Sequence, residues 1–253
     1  MANIAGADRV ETTWLGAIVG GRARRRNRAP AAGVLLLISL LAAACTDEGS
    51  DTAIADLLID PFHPEWIRPS PPVWRARFET SKGDFIVEAV RERAPIGVDR
   101  FYNLVRLGYY DDTRFHRVSE GYIVQFGLHG DPLVNAAWLH RQLPDDPAHG
   151  SNVRGALAFA MSPEPNTRNT QIYINLGDNT RNDVEPFAVF GRVVDGMDVL
   201  DRIHSGYGEQ SGSGVRQGRQ GPIIEGGNAY LDQNFPLLDR LIRATLVEDR
   251  PPE

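Results

Sequence analysis

The chain has 253 residues, 42% of them hydrophobic and 24% charged, which suits one large or two small globular domains rather than a disordered or fibrous protein. The formal net charge is −6, but residues 1–44 carry six arginines against Asp8 and Glu11, hence +4, so the remainder holds −10. An acidic main body excludes nucleic acid as the principal partner, because phosphate binding needs a basic face.

In chain order, "GRARRRNRAP" precedes "AAGVLLLISLLAAAC", an apolar run of 14 residues ending at the chain's only cysteine, Cys45. A positive region, a short apolar region and a small-residue site make a secretory signal over residues 1–44. The run is shorter than the roughly 20 residues of a spanning helix. A cysteine directly after "AAA" resembles a bacterial lipoprotein signal, in which that cysteine becomes the lipid-bearing first residue. The alternatives are an ordinary cleaved signal or an uncleaved anchor with Cys45 incidental. The expectation is an exported, membrane-anchored lipoprotein on the extracytoplasmic side, in the cell envelope or periplasm.

Residues 45–72 are polar and then proline-rich, and read as a lipidated N-terminus with a tether, Phe62 and Trp66 being candidates for docking on the domain. The folded domain is expected over 73–250. "VWRARFETSKGDFIVEAV" alternates on both sides of "SKGD", predicting a hairpin with strands near 73–80 and 84–90. "APIGVDRFYNLVRLGYY" switches to helical spacing, with Val98, Phe101, Tyr102 and Val105 on one face, Pro95 near the start and Gly108 near the stop. Further strands are predicted at 114–118, 122–127, 155–161, 171–175 and 188–193. A short helix is predicted at 196–203 and a last strand in "DRLIRATLVE". Many short strands with two helices imply an all-β barrel or sandwich with helical caps.

Hydrolytic and nucleotide chemistry find little support. The loop "GYGEQSGSG" follows a predicted helix and leads into more loop, whereas a phosphate-cradling loop leaves a strand and opens a helix. The six histidines lack ligand spacing and there is no second cysteine, so no metal is expected. His129 and Asp131 in "LHGDP" read as turn residues, and Asp111 and Asp112 as a solvated turn after a helix. No GxSxG elbow is present, and Cys45 lies outside the domain. What remains is Arg117 in "TRFHRVSEGYIVQFG", followed by Gln125, and Gln171 with Tyr173 on alternate positions of a second strand in "EPNTRNTQIYIN".

Together these stretches resemble the cyclophilins, the cyclosporin-binding family of peptidyl-prolyl isomerases. The blocks "TSKGDFIVE", "APIGVDRFYNLVRLGYY", "FHRVSEGYIVQFG", "PNTRNTQIYIN" and "FAVFGRVVDGMDVLDRI" follow the family's order from about Val73 to at least Ile203. The insert "LHGDPLVNAAWLHRQLPDDP" and the tail "GNAYLDQNFPLLDRLIRATLV" look like those of a bacterial subgroup. The resemblance implies a closed eight-stranded antiparallel barrel capped by two α-helices. It implies that Arg117 is catalytic, and that Tyr122, Ile123 and Tyr173 form a proline pocket where the family has phenylalanine, methionine and phenylalanine. It further implies that Gln125 and Gln171 flank the peptide, and that Met161 and Ser162 lie on the edge that bonds its backbone. Asn182 stands where a pocket leucine is usual and Phe187 where many members have histidine.

The resemblance therefore implies prolyl isomerisation in exported or unfolded proteins. It implies no cofactor and a monomer acting on proline-containing polypeptides, which the lipoprotein-like signal would hold to the membrane by its lipid. The chemistry suits the residues: rotation about X–Pro breaks no bond and asks only for a donor to the prolyl nitrogen beside an apolar wall. The alternatives are a catalytically weak proline-peptide binding or chaperone module and a small-ligand carrier. The large alternating residues, which would fill a barrel, argue against the carrier.

Overall fold

The computed structural model describes residues 48–211 and 220–247. The expected signal and Cys45 lie outside the described residues, as does part of the glycine-rich loop, 212–219. Among the described residues no helix is long and apolar enough to cross a membrane. The chain divides after Cys45, and Thr46–Glu253 forms one unit.

The segment expected to be a tether is largely structured. Helix α1 spans Glu48–Ile59, and Trp66 is buried in the short helical turn Pro64–Ile67 that follows. The indole N–H of Trp66 donates to Leu57 O and Asp60 O at 3.1 and 3.0 Å. Its ring meets Trp138 edge-on at 4.7 Å, and the Trp138 indole donates to Leu58 O at 2.8 Å. Two tryptophans that bury their rings and satisfy their N–H groups outweigh the polar, proline-rich composition around them. Phe62 stays exposed, with the Arg141 guanidinium 4.3 Å over its ring.

Strands β1 (Val73–Thr80) and β2 (Gly83–Val90) make the predicted hairpin. Thr80 Oγ1 donates to Gly83 O at 2.7 Å and accepts Lys82 N at 3.0 Å, which tightens the turn. Phe78 pairs with Phe85 across the ladder, their rings stacked at 4.9 Å, and both belong to the main core. Helix α2 (Pro95–Arg106) buries Val98, Phe101, Leu104 and Val105 against that core. Its first-turn N–H groups on Ile96 and Gly97 donate to the Asp146 carboxylate at 3.0 and 2.8 Å. Arg168 Nη1 completes that site at 2.9 Å. Asp146 thus supplies the negative charge a helix N-terminus favours, and ties the long insert to the fold.

The remaining strands are β3 (Thr113–Arg114), β4 (Arg117–Ser119), β5 (Ile123–Phe126), β6 (Ala156–Phe159), β7 (Ile172–Asn175), β8 (Gly191–Asp195) and β9 (Arg240–Val247). They form one antiparallel sheet in the order β3-β9-β1-β2-β8-β6-β7-β5-β4, curled into a half-barrel. Among the described residues, the expected closed eight-stranded barrel is therefore corrected to a half-barrel of nine strands. The single strand predicted at 114–118 is shared between two partners: Thr113–Arg114 pair with β9 and Arg117–Ser119 with β5. Phe115 and His116 form the corner between them, both fully buried, and no ladder joins β3 to β4.

Helix α4 (Met197–Asp201) matches the second predicted helix, while α3 (Pro132–Trp138) and α5 (Gly221–Asn234) were not foreseen. Asp131, read as a turn residue, caps α3 by accepting Leu133 N at 2.8 Å. Helix α5 bends at Gly227, whose φ of 54° favours glycine; a Cβ there would lie 2.1 Å from Gly130 O. Leu128, Ile223 and Leu231 form a separate small apolar cluster.

Candidate active site

Strands β5 to β7 are buried on both faces, while β4 buries Val118 and leaves Arg117 and Ser119 partly exposed, and the period of two assigns each face a task. Val124, Phe126, Leu157, Phe159, Ile172 and Ile174 belong to the main core. The intervening residues face the other way. Arg117 lies opposite Gln125, Gln125 opposite Tyr173, and Tyr173 opposite Ala158, so one cross-strand row carries a guanidinium, an amide, a phenol and a methyl. "ALAFA" alternates small and large: Leu157 and Phe159 fill the core, while Ala156, Ala158 and Ala160 belong to or pack on a second cluster with Ile123, Tyr173 and Val189. Small residues on that face leave a hollow.

The hollow is a cavity of about 910 Å³. All ten positions singled out from the sequence for catalysis or substrate contact line it: Arg117, Tyr122, Ile123, Gln125, Met161, Ser162, Gln171, Tyr173, Asn182 and Phe187. Tyr173 and Phe187 meet edge-on at 5.4 Å, with Tyr122 and Phe187 packed against the same cluster. Asn182 Nδ2 donates to the Tyr122 hydroxyl at 3.2 Å. A phenylalanine at 122 would offer no such acceptor, so the polar residue at 182 and the tyrosine at 122 answer each other. The Tyr173 hydroxyl likewise donates to Asn152 Oδ1 at 2.7 Å, and burial holds that phenol far above its usual pKa. Met161 and Ser162 follow β6 rather than lying within it, and the Ser162 N–H is already donated to Thr167 Oγ1 at 2.9 Å.

Arg117 is held at two points. Nη1 donates to Gln125 Oε1 at 3.1 Å and Nη2 to Glu209 Oε1 at 2.5 Å, with both ionic side chains mostly buried. Gln125 Nε2 donates in turn to Gln171 Oε1 at 2.9 Å, and Gln171 Nε2 to Gln220 Oε1 at 2.9 Å. Burial lowers the neighbouring His116 imidazole to a pKa of about 4, with the Arg117 charge acting the same way, so His116 is neutral at pH 7. Arg181, which also lines the cavity, rests 5.0 Å over the Tyr122 ring.

Glu209, Gln220, Asn152 and Arg181 had no signal in the sequence pattern. Glu209 is 92 positions from Arg117. Its segment is tied to β4 where Val118 N reaches Gly208 O at 3.3 Å and Ser211 Oγ donates to His116 O at 2.9 Å, pairings that periodicity does not announce.

A family model described as cyclophilin type peptidyl-prolyl cis-trans isomerase/CLD matches residues 75–224. The chain is 30% identical over 180 residues to peptidyl-prolyl cis-trans isomerase B of Escherichia coli, covering 68% of this chain and 98% of that protein. It is 33% identical over 131 residues to a peptidyl-prolyl cis-trans isomerase of Acinetobacter baylyi, covering 49% of this chain and 69% of that protein. Among solved structures, a cyclophilin type isomerase of Cryptosporidium parvum shares the fold at a TM-score of 0.50 and 20% identity, over 70% of this chain and 99% of that one. A cyclophilin of Hirschia baltica does so at 0.50 and 19%, over 75% and 79%.

Proposed function

Because the chain belongs to the cyclophilin-type peptidyl-prolyl cis-trans isomerases, we propose that Arg117 and the hollow beside it accelerate X–Pro rotation in exported or unfolded polypeptides. The observation that carries this is the cross-strand row: a fixed guanidinium stands at the edge of an apolar recess lined by Tyr122, Ile123, Tyr173 and Phe187.

An X–Pro bond resists rotation because the nitrogen lone pair is delocalised into the carbonyl, with a barrier of roughly 18–20 kcal/mol. At mid-rotation the lone pair is localised on nitrogen and accepts a hydrogen bond. Guanidinium offers five N–H donors in a rigid fork; Gln125 and Glu209 take one each, leaving donors for that nitrogen. The aromatic and aliphatic wall holds the proline ring and excludes water, which strengthens the bond. Gln125, Gln171 and the segment at Met161 and Ser162 hold the peptide on one side while the other turns. A 10⁵-fold acceleration needs about 7 kcal/mol, whereas one charge-assisted hydrogen bond supplies about 1.5–3. The recess and the hold on the peptide provide the remainder.

The reading extends to the rest of the chain. Residues 1–44 serve as a secretory signal, Cys45 carries lipid, and residues 73–250 act as a monomeric isomerase domain whose α2 and α4 cover the ends of the curled sheet. The arginine-rich start, the 14-residue apolar run and the cysteine after "AAA" support export and anchoring. Such a protein would meet newly exported chains, where slow prolyl rotation limits folding.

Refolding of a denatured protein whose slow phase is set by a trans-to-cis prolyl bond tests the activity. Catalytic amounts of the chain should shorten that phase; binding without acceleration would leave a proline-peptide holder instead. For the anchor, a Cys45→Ser variant should lose incorporated fatty acid and leave the membrane fraction, and an unchanged distribution refutes lipidation.

A further inference from the structure

The glycine-rich segment after α4 enters the mechanism above only as the holder of one Arg117 donor, yet both of its ends reach the Arg117 network. Glu209, on its near side, binds Arg117 directly at 2.5 Å. Gln220, on its far side, exchanges two hydrogen bonds with Gln171 at 2.9 and 3.1 Å, and Gln171 accepts from Gln125, which holds Arg117 from the other nitrogen. Arg117 is thus approached from one nitrogen by the carboxylate and from the other through three amides in series.

We infer that Glu209 and Gln220 are positioning residues: together they clamp the plane of the Arg117 guanidinium before substrate arrives. This rests on Arg117 being the catalytic donor. The need follows from the side chain itself. Arginine has a long flexible stem and a planar head, so one hydrogen bond to Gln125 leaves the head free to pivot about Nη1. A second tie, on Nη2, removes that freedom. A charged acceptor makes that tie the stronger one. Gln125 in turn needs its amide orientation set, since only its Oε1 accepts from Arg117. Its Nε2 is directed at Gln171 Oε1, which also accepts Gln220 Nε2. Gln220 therefore fixes which way both other amides face.

A neutral acceptor of the same shape should serve nearly as well as Glu209, because the task is orientation. Removing the acceptor should slow the turnover step while leaving peptide binding in the recess nearly unaltered, since Glu209 does not belong to the apolar cluster that would hold the proline.

The test uses the purified full chain and NMR exchange spectroscopy on a short Ala-Pro peptide, with kcat and KM separated by varying the peptide. Glu209→Ala should lower kcat on the order of tenfold, as loss of alignment without loss of the group does, with KM changed less than about twofold. Glu209→Gln should recover most of that loss, and Gln220→Ala should show a smaller fall in kcat. In an Arg117→Ala background, Glu209→Ala should have no further effect. The inference is overturned if Glu209→Ala turns over like the parent while Arg117→Ala is impaired. It is also overturned if Glu209→Ala is equally damaging with and without Arg117, which would mark a general structural fault. Full activity in Arg117→Ala alone would instead remove the catalytic reading on which the clamp depends.

Discussion

Asp146 is where the long insert, helix α2 and the loop before Gln171 are joined, and its removal should be costly. Its carboxylate accepts the N–H groups of Ile96 and Gly97 and pairs with Arg168, with both side chains of the pair almost wholly inaccessible, at 1% and 2% exposure. Arg168 also donates to the Pro144 carbonyl. Asp146→Ala leaves the buried guanidinium with Asp145 alone, whose Oδ1 lies 3.4 Å from its Nε, and takes the acceptor from two helix-terminal donors. Breaking a buried pair by removing one partner costs about 3–5 kcal/mol, a large share of the roughly 5–15 that holds a domain folded. For a unit of this size that corresponds to a fall in Tm of about 6–20 °C. Thermal unfolding followed by circular dichroism, parent against Asp146→Ala, measures it. Adding Arg168→Met should return part of the loss, because apolar replacement of a buried pair is often neutral. A shift of less than about 2 °C for Asp146→Ala would refute the assignment of this pair as the joint.

Other consequences follow from the same structure. The fold lowers the pKa of His116 from 6.5 to about 4 by burying it. The unfolded chain then binds more protons between those values, so stability should fall as pH drops from about 6.5 towards 4, by on the order of 3 kcal/mol in full. Denaturant unfolding at pH 7 and pH 4.5 should show a smaller acid loss in His116→Gln than in the parent, and equal losses would contradict the buried neutral state. Ala160→Leu should fill the hollow, cutting kcat/KM at least about tenfold while changing unfolding free energy by under about 1.5 kcal/mol, since Ala160 is only half-buried; undiminished turnover would place the proline elsewhere. Trp66→Ala should destabilise by about 3–5 kcal/mol, because the ring is buried against Trp138; a loss below 1 kcal/mol would return residues 48–72 to the role of a loose tether.

Much of the fold was legible because alternation is local. The hairpin at 73–90 and the helix opening at Pro95 lie where the pattern placed them. Alternation says which face a residue takes but not which strand it pairs with, so the division of 113–119 between two partners could not be read. Helices α1, α3 and α5 were missed for a different reason. Their sequences are polar, short, or interrupted by Gly226 and Gly227, and packing rather than intrinsic propensity sustains them. At the site, Arg117, Gln125, Gln171 and Tyr173 were visible as alternate positions on two strands that the sheet then makes neighbours. Glu209 and Gln220 sat in a glycine-rich stretch with no periodicity, and only the return of the chain to β4 gives them a place beside the arginine.

The central claim is that one guanidinium beside an apolar recess does the chemistry, and NMR exchange on an Ala-Pro-Phe-type peptide tests it most directly with the parent and Arg117→Ala side by side. The parent should catalyse cis–trans exchange, and the variant should be slower by on the order of 10²–10³, the usual cost of losing one preorganised donor. Its peptide-induced shifts at Tyr122, Ile123 and Tyr173 should persist, because the wall remains. Equal exchange rates for the two proteins would contradict the account.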